Sequence, residues 1–146
     1  MSRILGCLCL LLLPGLATAD DAQALTGTWK SVSYVIDGDT IPADVASKLK
    51  YIVKGNILTM RGGLAQAGGN YIPTVSTVSY KMKLGTSNGH KTIDLTPTRG
   101  NGKALRGIYK LEEGKLTLCL GLTGTRPTSF DSPANSAICL TTCAKE

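Results

Sequence analysis

Residues 115–122, KLTLCLGL, alternate without a break. Leu116, Leu118, Leu120 and Leu122 fall on one face of an extended chain, and Lys115, Thr117, Cys119 and Gly121 on the other. Side chains along a strand point to opposite faces with period two, so this pattern reads as a half-buried β-strand. Residues 105–111 (LRGIYKL) read as a partner strand, and Glu112-Glu113-Gly114 between them as a turn. This hairpin lies inside the stretch 92–130. Segments upstream supply further strands of the same kind, and the tail supplies one that can close the sheet.

Residues 27–36 (GTWKSVSYVI) are rich in β-branched and aromatic residues and run into Asp37-Gly38, a strand ending in a turn. Residues 40–49 hold Pro42, Asp44 and spaced Val45 and Leu49, which predicts a short helical turn. Residues 50–54 and 57–61 flank Gly55-Asn56, a hairpin signal. Residues 62–70 (GGLAQAGGN) read as a flexible loop. They lack the Lys-Ser/Thr ending of a phosphate-binding loop, and no helical pattern follows. Strands are expected at 75–84 and at 92–95, the latter stopped by Pro97, and a last one at 136–143. A loop with Pro127 and Pro133 precedes it. About eight short strands with little helix predict an all-β antiparallel barrel or sandwich, and closure removes the exposed edges of strands this short.

The 146 residues suffice for one domain. Residues 1–19 read as a signal peptide: Arg3, an apolar run over 4–13, Pro14-Gly15, then Ala17-Thr18-Ala19. The run is too short to span the roughly 30 Å of a bilayer core. Cleavage is expected before Asp20, leaving residues 20–146 as a single exported domain, periplasmic or secreted, with no stable membrane span. Sixteen Lys and Arg face ten Asp and Glu, and one of the sixteen, Arg3, lies in the leader. The others, such as Lys48, Lys50, Lys54, Lys81 and Lys83, are scattered, several alternating with apolar residues. Nucleic-acid binding calls for a clustered basic patch with interleaved aromatics, so no nucleic-acid partner is expected. Weak attraction to anionic envelope surfaces is compatible with this charge.

Six segments occur in a characteristic order: GTWK at 27–30, the Asp37-Gly38 turn, IDLTP at 93–97, GIYKL at 107–111, LTLCL at 116–120 and RPTSF at 126–130. The first is similar to the G-x-W opening of lipocalin-type barrels. Together they resemble an uncharacterised family of small exported bacterial domains prominent in planctomycetes, across nearly all of residues 20–146. The resemblance implies a small antiparallel lipocalin-like β-barrel of about eight strands with one short helical turn, and brings no reaction or ligand with it. Family members end in a hydrophobic strand followed by Lys-Arg, whereas this chain ends Cys143-Ala144-Lys145-Glu146, and Cys139 and Cys143 are extra.

Trp29, the only tryptophan, starts the first strand beside Gly27 and is expected to plug the closed end of the barrel, its indole N–H reaching a loop carbonyl. In lipocalin-like folds a basic side chain from the C-terminal part lies across this ring. By resemblance the candidates are Arg126 and Lys145, with Arg the better stacker. Arg126 is otherwise expected to be structural, holding its loop by hydrogen bonds to carbonyls.

His90, the only histidine, sits in the turn Asn88-Gly89-His90-Lys91. A nucleophilic Ser or Cys calls for a base, and neither Thr128 nor Ser129 has one in view. A zinc site calls for three or four ligands, and no C-x-x-C pair exists. The pairs Asp37/Asp39 and Glu112/Glu113 lie at turns that use such residues anyway. No catalytic set, metal or other cofactor is therefore expected.

Beyond the leader stand Cys119, Cys139 and Cys143. In an exported protein at least one disulfide is expected. Cys139 and Cys143 would lie roughly 13 Å apart along a strand, too far to bridge. If Leu122 faces Ser136, Cys119 faces Cys139, and a pair so opposed suits a disulfide. A register shifted by four would choose Cys143. Cys119–Cys139 is the preferred pair. The function expected is a non-catalytic barrel holding a small apolar ligand. The alternatives are a ligand-free structural or protein-interaction module of the envelope and, last, a hydrolase.

Overall fold

The computed structural model describes residues 19–146. The leader read from residues 1–19 lies outside the described residues, apart from Ala19. The elements are α1 (Ala19–Leu25), β1 (Gly27–Ile36), β2 (Asp39–Thr40), α2 (Ala43–Ala46), β3 (Lys50–Lys54), β4 (Ile57–Ala67), β5 (Asn70–Ser87), β6 (His90–Pro97), β7 (Leu105–Glu112), β8 (Lys115–Gly121) and β9 (Ile138–Lys145). Strands β1 and β3–β9 form a closed eight-strand antiparallel barrel, and β2 is one extra strand on β1. Successive strands pair with their neighbours, and β9 closes on β1 from Trp29↔Lys145 to Ile36↔Cys139. Closure leaves no open edge in the barrel wall itself, while residues 70–78 of β5 pair only with β4.

Four of the connections are two-residue turns with both residues at positive φ: Asp37-Gly38, Gly68-Gly69, Asn88-Gly89 and Glu113-Gly114. Such turns match the right-handed twist of the strands they join. They fix the hairpin registers, and so the face that each strand buries.

The predicted alternation of β8 holds. Leu116, Leu118 and Leu120 point inward and are buried, beside Leu58, Ile93, Leu95 and Tyr109. Each fully buried aliphatic side chain of this size contributes about 1.5–3 kcal/mol. These side chains, from Leu116 beside Cys143 to Leu120 beside Cys139, fill much of the barrel interior, as in other eight-strand barrels whose interiors are just wide enough for side chains.

Two expectations are corrected, and one element was not anticipated. Residues 62–70 are not a flexible loop: β4 continues through Ala67, turns at Gly68-Gly69 and returns as the 18-residue β5. The glycines lower the local strand propensity, but pairing from Gly63↔Thr74 to Ala67↔Asn70 overrides it. A bulge places Val75 and Ser76 opposite Gly62, where the hairpin leaves the barrel wall as an arm. The unanticipated element, α1, precedes the barrel. Seven residues are too few to show a helical period, though Asp20 and Asp21 suit a first helical turn. Nor does a disulfide form among the described residues: Cys119, Cys139 and Cys143 are all free and buried. β8 pairs β9 with Leu120↔Cys139 and Cys119↔Leu140. This register differs by one residue from the one that opposes Cys119 to Cys139, and a one-residue slip turns every side chain to the other face. Cys139 and Cys143 therefore face the interior with Leu120 and Leu116, while Cys119 faces outward.

Candidate functional site

The two ends of the barrel differ. At the lower end α1 closes the floor, with Leu25 wholly buried. Trp29 is 2% exposed, and its Nε1–H donates to the Leu25 carbonyl at 2.8 Å. Of the two basic candidates for this ring, Lys145 is the one present: its Nζ lies 5.5 Å from the indole centroid. The Asp21 carboxylate accepts from the Tyr109 hydroxyl at 2.9 Å and pairs with Lys91 Nζ at 2.8 Å. Burial, with Asp21 adding, raises the Tyr109 phenol above its ordinary range. This end is a packed and latched floor.

Arg126 lies elsewhere, on the outside of the wall. Its Nη1 donates to the Gly107 carbonyl at 2.9 Å and its Nη2 pairs with Asp94 at 2.7 Å. It thereby holds the start of the long β8–β9 loop against β6 and β7. The same loop covers Cys119, whose Sγ lies 3.5 Å from the Ser129 carbonyl and 3.6 Å from that of Asp131. Farther on, Ser132 Oγ donates to the Ile138 carbonyl at 2.6 Å, and the Ala137 amide donates to Asp37 at 2.6 Å. Burial raises the Cys119 thiol. His90 packs edge-on against Phe130, with centroids 5.6 Å apart.

At the upper end the interior opens. A cavity of about 170 Å³ lies between β1, β3 and the base of the arm, lined by Tyr34, Ile36, Leu49, Tyr51, Met60 and Leu64 among others. The pairing periods of β1 and β3 aim these residues inward, and α2 brings the chain back so that the Leu49 carbonyl accepts from the Ser31 amide at 3.0 Å. The arm leans over this end: Leu64 and Tyr71 pack against the core, and the Tyr71 hydroxyl donates to Asp39 at 3.2 Å. No single motif marks these residues. The only signal for Tyr34 and Tyr51 is their place on the inward face of the strand alternation.

Below the cavity runs a strip of neutral polar groups. A bulge between Ser31 and Ser33 brings the Ser31 and Thr141 hydroxyls within 2.7 Å of each other and within reach of the Ser33 carbonyl. Burial, then the neighbouring Cys139, holds the Tyr34 and Tyr51 phenols well above their ordinary range. Burial pushes the Cys139 and Cys143 thiols up to about 11. At neutral pH these groups are therefore uncharged, and they can offer hydrogen bonds to a guest without imposing a charge on it.

Of the residues singled out in the sequence, Cys139 borders this upper interior, Trp29 lies on the floor, and Arg126 and Cys119 lie on the outer wall. The structure does not bring the four together. Comparison of the chain with protein-family models and with curated proteins returns no match.

Proposed function

We propose that this protein is an exported, non-catalytic barrel of the lipocalin-like kind that holds a small apolar ligand at its upper end. The observation that carries this reading is the cavity lined by Tyr34, Ile36, Leu49, Tyr51, Met60 and Leu64. It contrasts with the filled floor. Its volume of about 170 Å³ is close to the roughly 150 Å³ of an engineered apolar cavity that binds benzene. A single ring or the end of an aliphatic chain fits such a space, whereas whole drug-sized ligands occupy about 300–1,000 Å³.

Native mass spectrometry of protein purified from its own cells tests the reading. A retained small molecule, lost on Met60→Arg substitution, supports it. A bare mass under gentle ionisation favours the second reading, a ligand-free interaction module of the envelope. That alternative draws on the exposed Ile72 and Val75 of the arm and Val78 just below it. Sequencing of the same material reports on export, which requires an N-terminus at or near Asp20.

A further inference from the structure

We propose that the ligand is an anionic amphiphile, its apolar part in the upper cavity and its acidic head outside, on Lys48 and Arg61. This rests on the ligand-binding reading above and names the class of molecule.

A second cavity, of about 470 Å³, adjoins the first and shares Arg61 and Gly62 with it. Its other walls include Lys48, Pro73, Val75 and Thr77. The residue between the two spaces is a glycine at φ +84°, and a Cβ there would stand 2.7 Å from the Lys48 carbonyl and 3.3 Å from Leu49 Cδ2. Glycine thus lets the base of the arm close against the Lys48–Leu49 backbone, a close approach that a Cβ at this φ would not permit. The bulge opposite Gly62 turns Val75 out to full exposure on the rim. Bulges beside sites commonly re-aim a side chain in this way.

Basic side chains crowd this rim. Lys50 opposes Arg61 directly across β3 and β4, and Lys30 opposes Lys50 across β1 and β3. Like charges so placed destabilise a sheet. Lys50 is partly neutralised by Glu146 at 2.8 Å. Among the described residues Lys48 and Arg61 enter no ion pair. An acidic head there would relieve the repulsion while its chain ran past Arg61 and Gly62, the residues common to both cavities, into apolar surroundings. A carboxylate and a phosphate ester share this chemistry.

Calorimetric titration with decanoate, decyl phosphate and 1-decanol, each below its aggregation limit, tests the proposal and separates the two heads. The acids are expected to bind about tenfold more tightly than the alcohol, the scale of one charge-assisted contact. The double variant Lys48→Gln/Arg61→Gln should bring the acids to the affinity of the alcohol and leave the alcohol unchanged. Both residues are exposed and the change removes a repulsion, so the variant should melt no lower than the parent. Tighter binding of decanoate would assign a carboxylate head, and of decyl phosphate a phosphate head. Equal binding of acids and alcohol, or a variant without effect, would overturn the anionic head and leave the apolar-ligand reading standing. Failure of all three to bind would overturn both.

Discussion

Trp29 joins three parts of the chain through one side chain. Its ring is buried, its N–H holds the end of α1 through the Leu25 carbonyl, and its face receives Lys145 from the last strand. Replacing it with Ala should cost about 3–5 kcal/mol, the range for truncating a large buried aromatic. Lys145→Ala should cost about 0.5–1 kcal/mol, since the ammonium is largely solvated. Because Trp29 is the only tryptophan, its emission reports the floor alone. Native emission should be blue-shifted, and it should move to the red only on unfolding. An emission maximum typical of a solvated indole, with an unchanged melting temperature for Trp29→Ala, would contradict this account. The burial of Trp29 was legible from its position beside Gly27 in the first strand. Its partner was not, because Arg126 and Lys145 satisfy the same sequence criterion. Only the β1–β9 register, which opposes Trp29 to Lys145, separates them.

At the scale of elements, the β7–β8 hairpin carries a local conflict that can be relieved. Glu113 sits at φ 53°, the first position of a turn whose two residues both lie in the left-handed region. That region costs an L-residue with a Cβ about 1–2 kcal/mol, and asparagine and glycine tolerate it best. Glu113→Asn should therefore stabilise the protein by about 0.5–1 kcal/mol, read as a higher urea midpoint with an unchanged slope. An unchanged or lower midpoint would mean that the turn relaxes without help. Most strands were legible because period-two runs and two-residue turns reinforce one another, as at 27–38 and 105–122. The arm was not, because four glycines in residues 62–69 argue locally for a loop and the evidence for a strand is the partner across the hairpin. The disulfide failed for a related reason. A loop of sixteen residues, 122–137, separates β8 from β9, and its length does not set the register. One residue of slip then decides whether Cys119 faces Cys139 or the solvent side.

Across the whole molecule, closure gathers groups from distant parts of the chain into one interior, and their protons become a property of the fold. In the unfolded chain a thiol titrates near its ordinary 9.0, whereas in the barrel Cys139 and Cys143 hold their protons to about 11. Above pH 9 the unfolded state therefore binds fewer protons than the native one. Stability is fully present below that pH and falls as pH rises from about 9 towards 11. Each thiol adds about 1.4 kcal/mol per pH unit to the slope inside that window. The phenols of Tyr34 and Tyr51, raised by the same burial, extend the decline to higher pH. Urea titrations under reducing conditions at half-unit steps from pH 8 to 11 would trace this limb. In Cys139→Ala the absolute stability should drop because the site loses volume, but the alkaline slope should also become shallower by about one proton. The slope is the decisive reading, since a cavity lowers the whole curve without tilting it. A limb of undiminished steepness in Cys139→Ala would show that the Cys139 thiol is not among the groups that set the alkaline sensitivity.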